Sequence, residues 1–124
     1  MPSSRFSPST TRATRPEVTP RLAAGVLVSA LVRRIEEAGG GAMVLARGDA
    51  TAGALLLALA DRGETRALIE RTLGTDGYAW RETGPADPAD RSDYLARRRR
   101  ADPDLWVVEL DHPEAERIAR EVLG

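Results

Sequence analysis

Residues 97–111 read RRRRADPDLWVVELD, and this stretch joins a helix end, a stop and a buried strand. Four arginines occupy the last turn of a helix that begins near Pro88, where cations complement the partial negative charge of the free carbonyls. Pro103 cannot continue that helix, and Asp102-Pro103-Asp104 reads as the turn that follows it. Period two in LWVVEL then sets Leu105, Val107 and Glu109 on one face and Trp106, Val108 and Leu110 on the other. Both faces are mostly apolar, which marks a central strand covered by helices or a sheet with one face in a partner interface. Trp106 is expected in the core.

The four arginines wrap most of a helix circumference, so they cannot all meet one phosphate backbone. Arg98 lies four residues after Tyr94 and three after Leu95, beneath the apolar stripe. Its stem is expected to pack, with its guanidinium bonded to a carboxylate or a carbonyl, leaving Arg97, Arg99 and Arg100 to solvent as candidates for anion or nucleic-acid binding. Asp102 and Asp104 lie close enough in sequence to neutralise part of the run.

The inventory of reactive groups is thin. The chain of 124 residues has one histidine, His112, and no cysteine; its eighteen basic residues are all arginine, and Asn and Gln are missing. That removes thiolate nucleophiles, iron–sulfur ligation, Schiff bases and the lysine of a phosphate loop. The loss of Lys, Asn and Gln beside an excess of Arg, Ala, Gly and Pro fits codon bias in a GC-rich genome, so the arginines are not in themselves evidence of phosphate binding. The net charge of −1 divides unevenly, because residues 1–21 hold four Arg and one Glu. The body is thus acidic, and a nucleic-acid role would have to come from a local patch or from the basic end.

Residues 1–20, dense in Ser, Thr and Pro, lack the aliphatic side chains needed to offset ordering entropy, and read as a disordered basic tail on a single domain over residues 21–124. Their composition also resembles an organelle transit peptide. The apolar run at residues 22–32 is too short to span a bilayer, and Arg33, Arg34, Glu36 and Glu37 stand where a signal cleavage site should lie. A cytoplasmic location with no membrane association is the expectation.

Further along, Val28, Leu31, Val32, Ile35 and Ala38 recur at helical spacing, and Gly39 to Gly41 end that helix. GDATAGALLLALADRGET at residues 48–65 is ambiguous: Ala and Leu favour helix with Asp49 as its N-cap, whereas Gly53 and the turn Asp61-Arg62-Gly63 favour a short buried strand. Residues 64–73 fit either state as well. Asp111 and Glu114 have the spacing of a capping box around His112 and Pro113, ahead of an amphipathic helix.

Taken together, the VSALVRR helix, ARGD-x-x-AGA at residues 46–54, W-x-x-TGP and DPDLWVVE at residues 102–109 make the sequence resemble the domain-of-unknown-function family 1491, short uncharacterised proteins of alphaproteobacteria. The resemblance covers about residues 21–111, and it leaves Arg47, Gly48, Asp49, Gly53, Asp102, Pro103, Asp104 and Trp106 as motif residues of unassigned role. Relatives often carry a lysine in the run after AGA where this sequence has Ala58 and Leu59, so no lysine-dependent role carries over. The resemblance favours strands, giving helix 26–38, strands 42–47, 53–60, 65–72 and 77–83, helix 87–100, strand 104–110 and helix 113–123. The expected class is α+β, with a mainly antiparallel sheet of about five strands and three helices, the first four strands forming a meander through short connections. GDATAG would be a tight inter-strand turn, with Asp61-Arg62-Gly63 and Thr75-Asp76-Gly77 as hairpin turns.

No catalytic set emerges. A non-enzymatic interaction module, self-associating or binding an unknown protein through apolar sheet or helix surface, is the leading expectation, with no cofactor and no metal. The alternative is a weak nucleic-acid or nucleotide binder through the Arg97–Arg100 run. A metal-dependent hydrolase comes third: Asp102-Pro103-Asp104 resembles the Pro-Asp step of metal-dependent nucleases, but Glu109 falls on the strand face opposite Asp104.

Overall fold

The computed structural model describes residues 23–51, 53–74 and 77–123, so the proposed tail at residues 1–20 and the first two residues of the 75–77 turn lie outside the described residues. Helix α1 spans Ala24–Glu37. Strands β1 (Gly41–Ala46), β2 (Leu55–Asp61), β3 (Glu64–Gly74) and β4 (Gly77–Thr83) follow, then α2 (Arg91–Ala101), β5 (Trp106–Asp111) and α3 (Ala115–Leu123). The class is α+β: three helices and a five-stranded, mostly antiparallel sheet. Residues 55–61 and 64–74, ambiguous by propensity, are both strands, because burial in the sheet outweighs the helical preference of Ala and Leu.

The sheet order is β1-β5-β2-β3-β4. This corrects the four-strand meander, since only β2, β3 and β4 are consecutive neighbours. β1 pairs antiparallel with β5, while β5 runs parallel to β2 with Leu57 opposite Val108. The cause is the distribution of apolar residues. β2 and β5 carry almost continuous apolar runs, LLLALA and WVVEL, and each must be covered on both faces. Placing them side by side at the centre does this, and β1, which alternates exposed and half-buried positions, is displaced to the edge.

Two cores result. On one face α1 and α3 pack Val28, Leu31, Ile35, Ile118 and Ala119 against Leu55, Leu57, Trp106, Val108 and Leu110. On the other, α2 lays Tyr94 and Leu95 over Leu56, Ala58, Leu68, Leu105 and Val107. The split of β5 into Leu105 and Val107 against Trp106, Val108 and Leu110 follows the expected period of two.

The ends of these elements are fixed locally. Gly39 (φ +91°) lets Gly40 N–H reach Ile35 C=O at 2.9 Å and Gly39 N–H reach Glu36 C=O at 3.0 Å, the paired bonds of a Schellman stop. The β2–β3 hairpin turns on Arg62 (φ 56°) and Gly63 (φ 81°), two left-handed residues in the manner of a type I′ turn. Asp111 holds that turn: its carboxylate accepts Arg62 N–H at 2.8 Å and Gly63 N–H at 2.7 Å. The expected capping box is thereby corrected, because the Asp111 side chain is taken by the hairpin. His112 serves the helix instead, with Nδ1 accepting Glu114 N–H at 2.8 Å. Nε2 must then carry the ring proton, and it donates to Ala38 C=O at 3.1 Å. Both ring nitrogens are engaged in joining the starts and ends of helices.

Candidate functional site

The structure brings the two sequence motifs together at one end of the sheet. Residues 47–51 and 53–54 do not form a tight turn between paired strands; they cross the start of β5 on the way from β1 to β2, two positions away in the sheet. Asp49 N–H donates to Asp104 C=O at 3.0 Å, the Trp106 indole N–H donates to Asp49 C=O at 2.8 Å, and Trp106 N–H donates to Ala54 C=O at 2.9 Å. The Asp49 carboxylate accepts Thr51 N–H at 3.1 Å within the loop. The loop also closes α1, whose first turn lacks a side-chain cap: Ala24 N–H donates to Thr51 C=O and Gly25 N–H to Ala50 C=O. Gly48 and Gly53 sandwich the Asp104 carbonyl. A Cβ at either position would collide with that oxygen, and one at Gly53 would also sit 2.8 Å from the Trp106 ring. The motif glycines are therefore set by close approach of backbone to backbone.

Asp102, Pro103 and Asp104 make the turn anticipated from sequence. Asp102 ends α2, and its carboxylate accepts Asp104 N–H at 3.1 Å. Among the described residues neither acid is ion-paired with the arginine run, contrary to the expected neutralisation. No group of three or more His, Asp or Glu converges as a metal site among the described residues.

The arginine run divides by helix face. Arg98 grips Glu70 of β3 through two hydrogen bonds, Nη1 to Oε1 at 2.9 Å and Nη2 to Oε2 at 2.8 Å, and donates to Tyr94 Oη at 2.9 Å. Tyr94 Oη in turn bonds Thr83 Oγ1 of β4. Glu70 is the buried charge among the described residues, 6% exposed, with Arg81 as a second cation at 3.7 Å. The Arg98 hydrogen bonds hold its carboxyl below the ordinary range against the opposing effect of burial, and the bond to Glu70 raises Arg98 above its ordinary value. Arg97 and Arg100 are exposed on the outward face, as expected. Arg99 is not: it is half-buried, and its Nε is shielded from water without a described partner. The anion-binding set Arg97, Arg99 and Arg100 is thus not one surface.

A model of the family described as protein of unknown function, DUF1491, matches residues 22–120. The chain belongs to the DUF1491 family. A crystal structure of a DUF1491 family protein from Caulobacter crescentus CB15 is 35% identical, with a TM-score of 0.68 over 78% of this chain and 94% of that one. An NMR structure of a DUF1491 family protein from the same organism is 37% identical, with a TM-score of 0.65 over 75% and 88%. A protein of A. tumefaciens solved in solution is 31% identical, with a TM-score of 0.62 over 76% and 88%. No curated protein matches the chain.

Sequence reasoning missed several residues that this DUF1491 domain uses. Glu70 is the partner Arg98 required; as a strand, residues 64–74 place Glu70 on the face of Leu68, which signals a buried acid in need of a cation. Nothing in the local spacing of Arg33 shows that it faces the same cleft as Arg47. That cleft, about 390 Å³, opens between α1, β1 and the 47–50 loop, with Trp106 in its wall. No helix of the described residues is long and apolar enough to cross a membrane.

Proposed function

We propose that this DUF1491 protein is a non-enzymatic cytoplasmic interaction module that pairs with a second copy of itself through the free edge of β1. The observation that carries the reading is the contrast between the two sheet edges. β4 bears Arg81 and Glu82, charges of the kind that discourage strand addition. β1, GAMVLA, has no charge, and Met43 and Leu45 are 61% and 46% exposed. Ala42 and Val44 pack toward α1, so Met43 points to the opposite face, and Leu45 is the extra residue of a bulge opposite β5. A two-fold pairing of β1 with its copy would be self-complementary and would continue the sheet. Six residues of edge with two apolar side chains make a small interface, so a weak dimer, with a dissociation constant of about 10 μM, is expected.

Sedimentation velocity across a concentration series tests this. The wild type should pass from monomer to dimer, and Met43→Glu should remain monomeric with an unchanged melting midpoint, since the side chain lies outside the core. A monomer at every concentration would overturn the reading. Nucleic-acid contact is the second reading, favoured by the exposed Arg97 and Arg100 on one helix face. Oligonucleotide binding whose affinity falls log-linearly with salt would support it.

A further inference from the structure

We infer that the cleft between α1, β1 and the 47–50 loop binds a small organic monoanion, a carboxylate attached to an apolar body. Its volume of about 390 Å³ falls within the range of small-ligand sites, roughly 300–1,000 Å³. The walls are apolar, formed by Val28 and Val32 of α1, Val44 of β1 and the Trp106 ring. Two arginines from separate elements, Arg33 and Arg47, stand at the rim. Among the described residues neither is in an ion pair, although Arg34, next to Arg33, is bonded to Glu121.

Arg47 is the motif residue whose hydrogen-bond donors the fold leaves unused. Gly48, Asp49 and Gly53 of its motif are accounted for by the crossing over β5, whereas the Arg47 side chain is exposed and makes no hydrogen bond to a described residue. Its guanidinium lies 5.2 Å from the centroid of the Trp106 ring, which itself is fixed by the indole bond to Asp49 C=O. A cation held over a fixed ring is positioned by it while its N–H donors stay free to grip a carboxylate. Glu36 is the acid on the same rim. Two cations against one acid leave a net positive charge that attracts an anion, and the apolar walls favour a carboxylate on an apolar body over a strongly hydrated phosphate dianion. Ser29 adds a hydroxyl for a further polar group on the ligand.

The test is titration of the full chain, labelled with nitrogen-15, with 4-phenylbutyrate and with its neutral isostere 4-phenylbutyramide, followed by NMR. Trp80→Phe identifies the Trp106 indole signal. The acid should give saturable shifts at that signal and across residues 28–33 and 44–50, with the amide about tenfold weaker or more. Arg33→Met and Arg47→Met should each weaken the acid by about threefold to tenfold and leave the amide unchanged, while Glu36→Gln should tighten the acid. Equal affinity for acid and amide, insensitivity to both arginine changes, shifts centred elsewhere, or no saturable shift up to about 20 mM would each overturn the assignment. Arg33 and Arg47 are both exposed, so unchanged melting midpoints will show that the variants fold.

Discussion

Replacing Arg98 by alanine should be the most damaging single change in the arginine run. The guanidinium, whose side chain is 26% exposed, makes two hydrogen bonds to a Glu70 side chain that is 8% exposed and a third to Tyr94. Removing it leaves a buried carboxylate with one remaining cation, Arg81, at 3.7 Å. Breaking one side of such a pair costs about 3–5 kcal/mol when it is fully buried; partial exposure of Arg98 and reorientation of Arg81 lower the expectation to about 2–4 kcal/mol. Equilibrium urea unfolding is the assay, and the midpoint should fall by about 2 M for a domain of this size. The double change Glu70→Leu with Arg98→Met should recover most of the loss, because it removes the stranded charge along with its partner. The pH dependence has a definite sign. Glu70 titrates lower folded than unfolded, so its stabilisation is complete above the unfolded carboxylate value, about 4.3, and is lost as pH falls through the folded value. The difference between wild type and Arg98→Ala should therefore shrink on acidification below about pH 5. A loss of under about 0.5 kcal/mol at pH 7 would refute the role given to this pair.

The other perturbations read out separate parts of the structure. Gly48→Ala should cost about 2 kcal/mol or more by urea unfolding, since the new methyl collides with Asp104 C=O where the backbone has no room to yield. Arg62→Asn should raise stability by about 0.5–1 kcal/mol, as Asn-Gly tolerates the left-handed turn better; Asp111→Ala should lower it by about 1–2 kcal/mol by exchanging two charge-assisted bonds to the turn amides for bonds to water. Thermal melts of Arg97→Ala and Arg100→Ala should match wild type within about 0.5 kcal/mol, whereas Arg99→Ala should show a measurable change from its half-buried stem.

How far the chain could be read in advance depends on where each signal is stored. Tyr94, Leu95 and Arg98 announce the buried face of α2 because helical spacing is local, and LWVVEL announces a central strand because both of its faces are apolar. The neighbour of β5 is not written in β5 itself. Insertion between β1 and β2 follows from the competition among all five strands for two-sided cover, so short connections alone suggested a meander that stops at β2. Asp111 shows the same limit: its spacing to Glu114 fits a helix cap, yet the hairpin at Arg62 and Gly63, 49 and 48 residues away, takes the carboxylate. Half-burial of Arg99 was missed because Tyr94 and Leu95 define a direction and not a width, and α2 rests on the sheet over a broader arc. The site residues Gly48, Asp49, Gly53 and Trp106 were legible as motifs, but their common reason, the crossing over Asp104, exists only in three dimensions.

The claim that β1 is a pairing edge is tested most directly by amide hydrogen exchange of residues 41–46 measured at a dilute and at a concentrated protein level. In the monomer, amides facing β5 are protected and those on the open side are not. The open-side amides should gain protection as concentration rises, while those of β4 stay unchanged. Fast exchange of the open-side amides at every concentration would contradict self-association through β1.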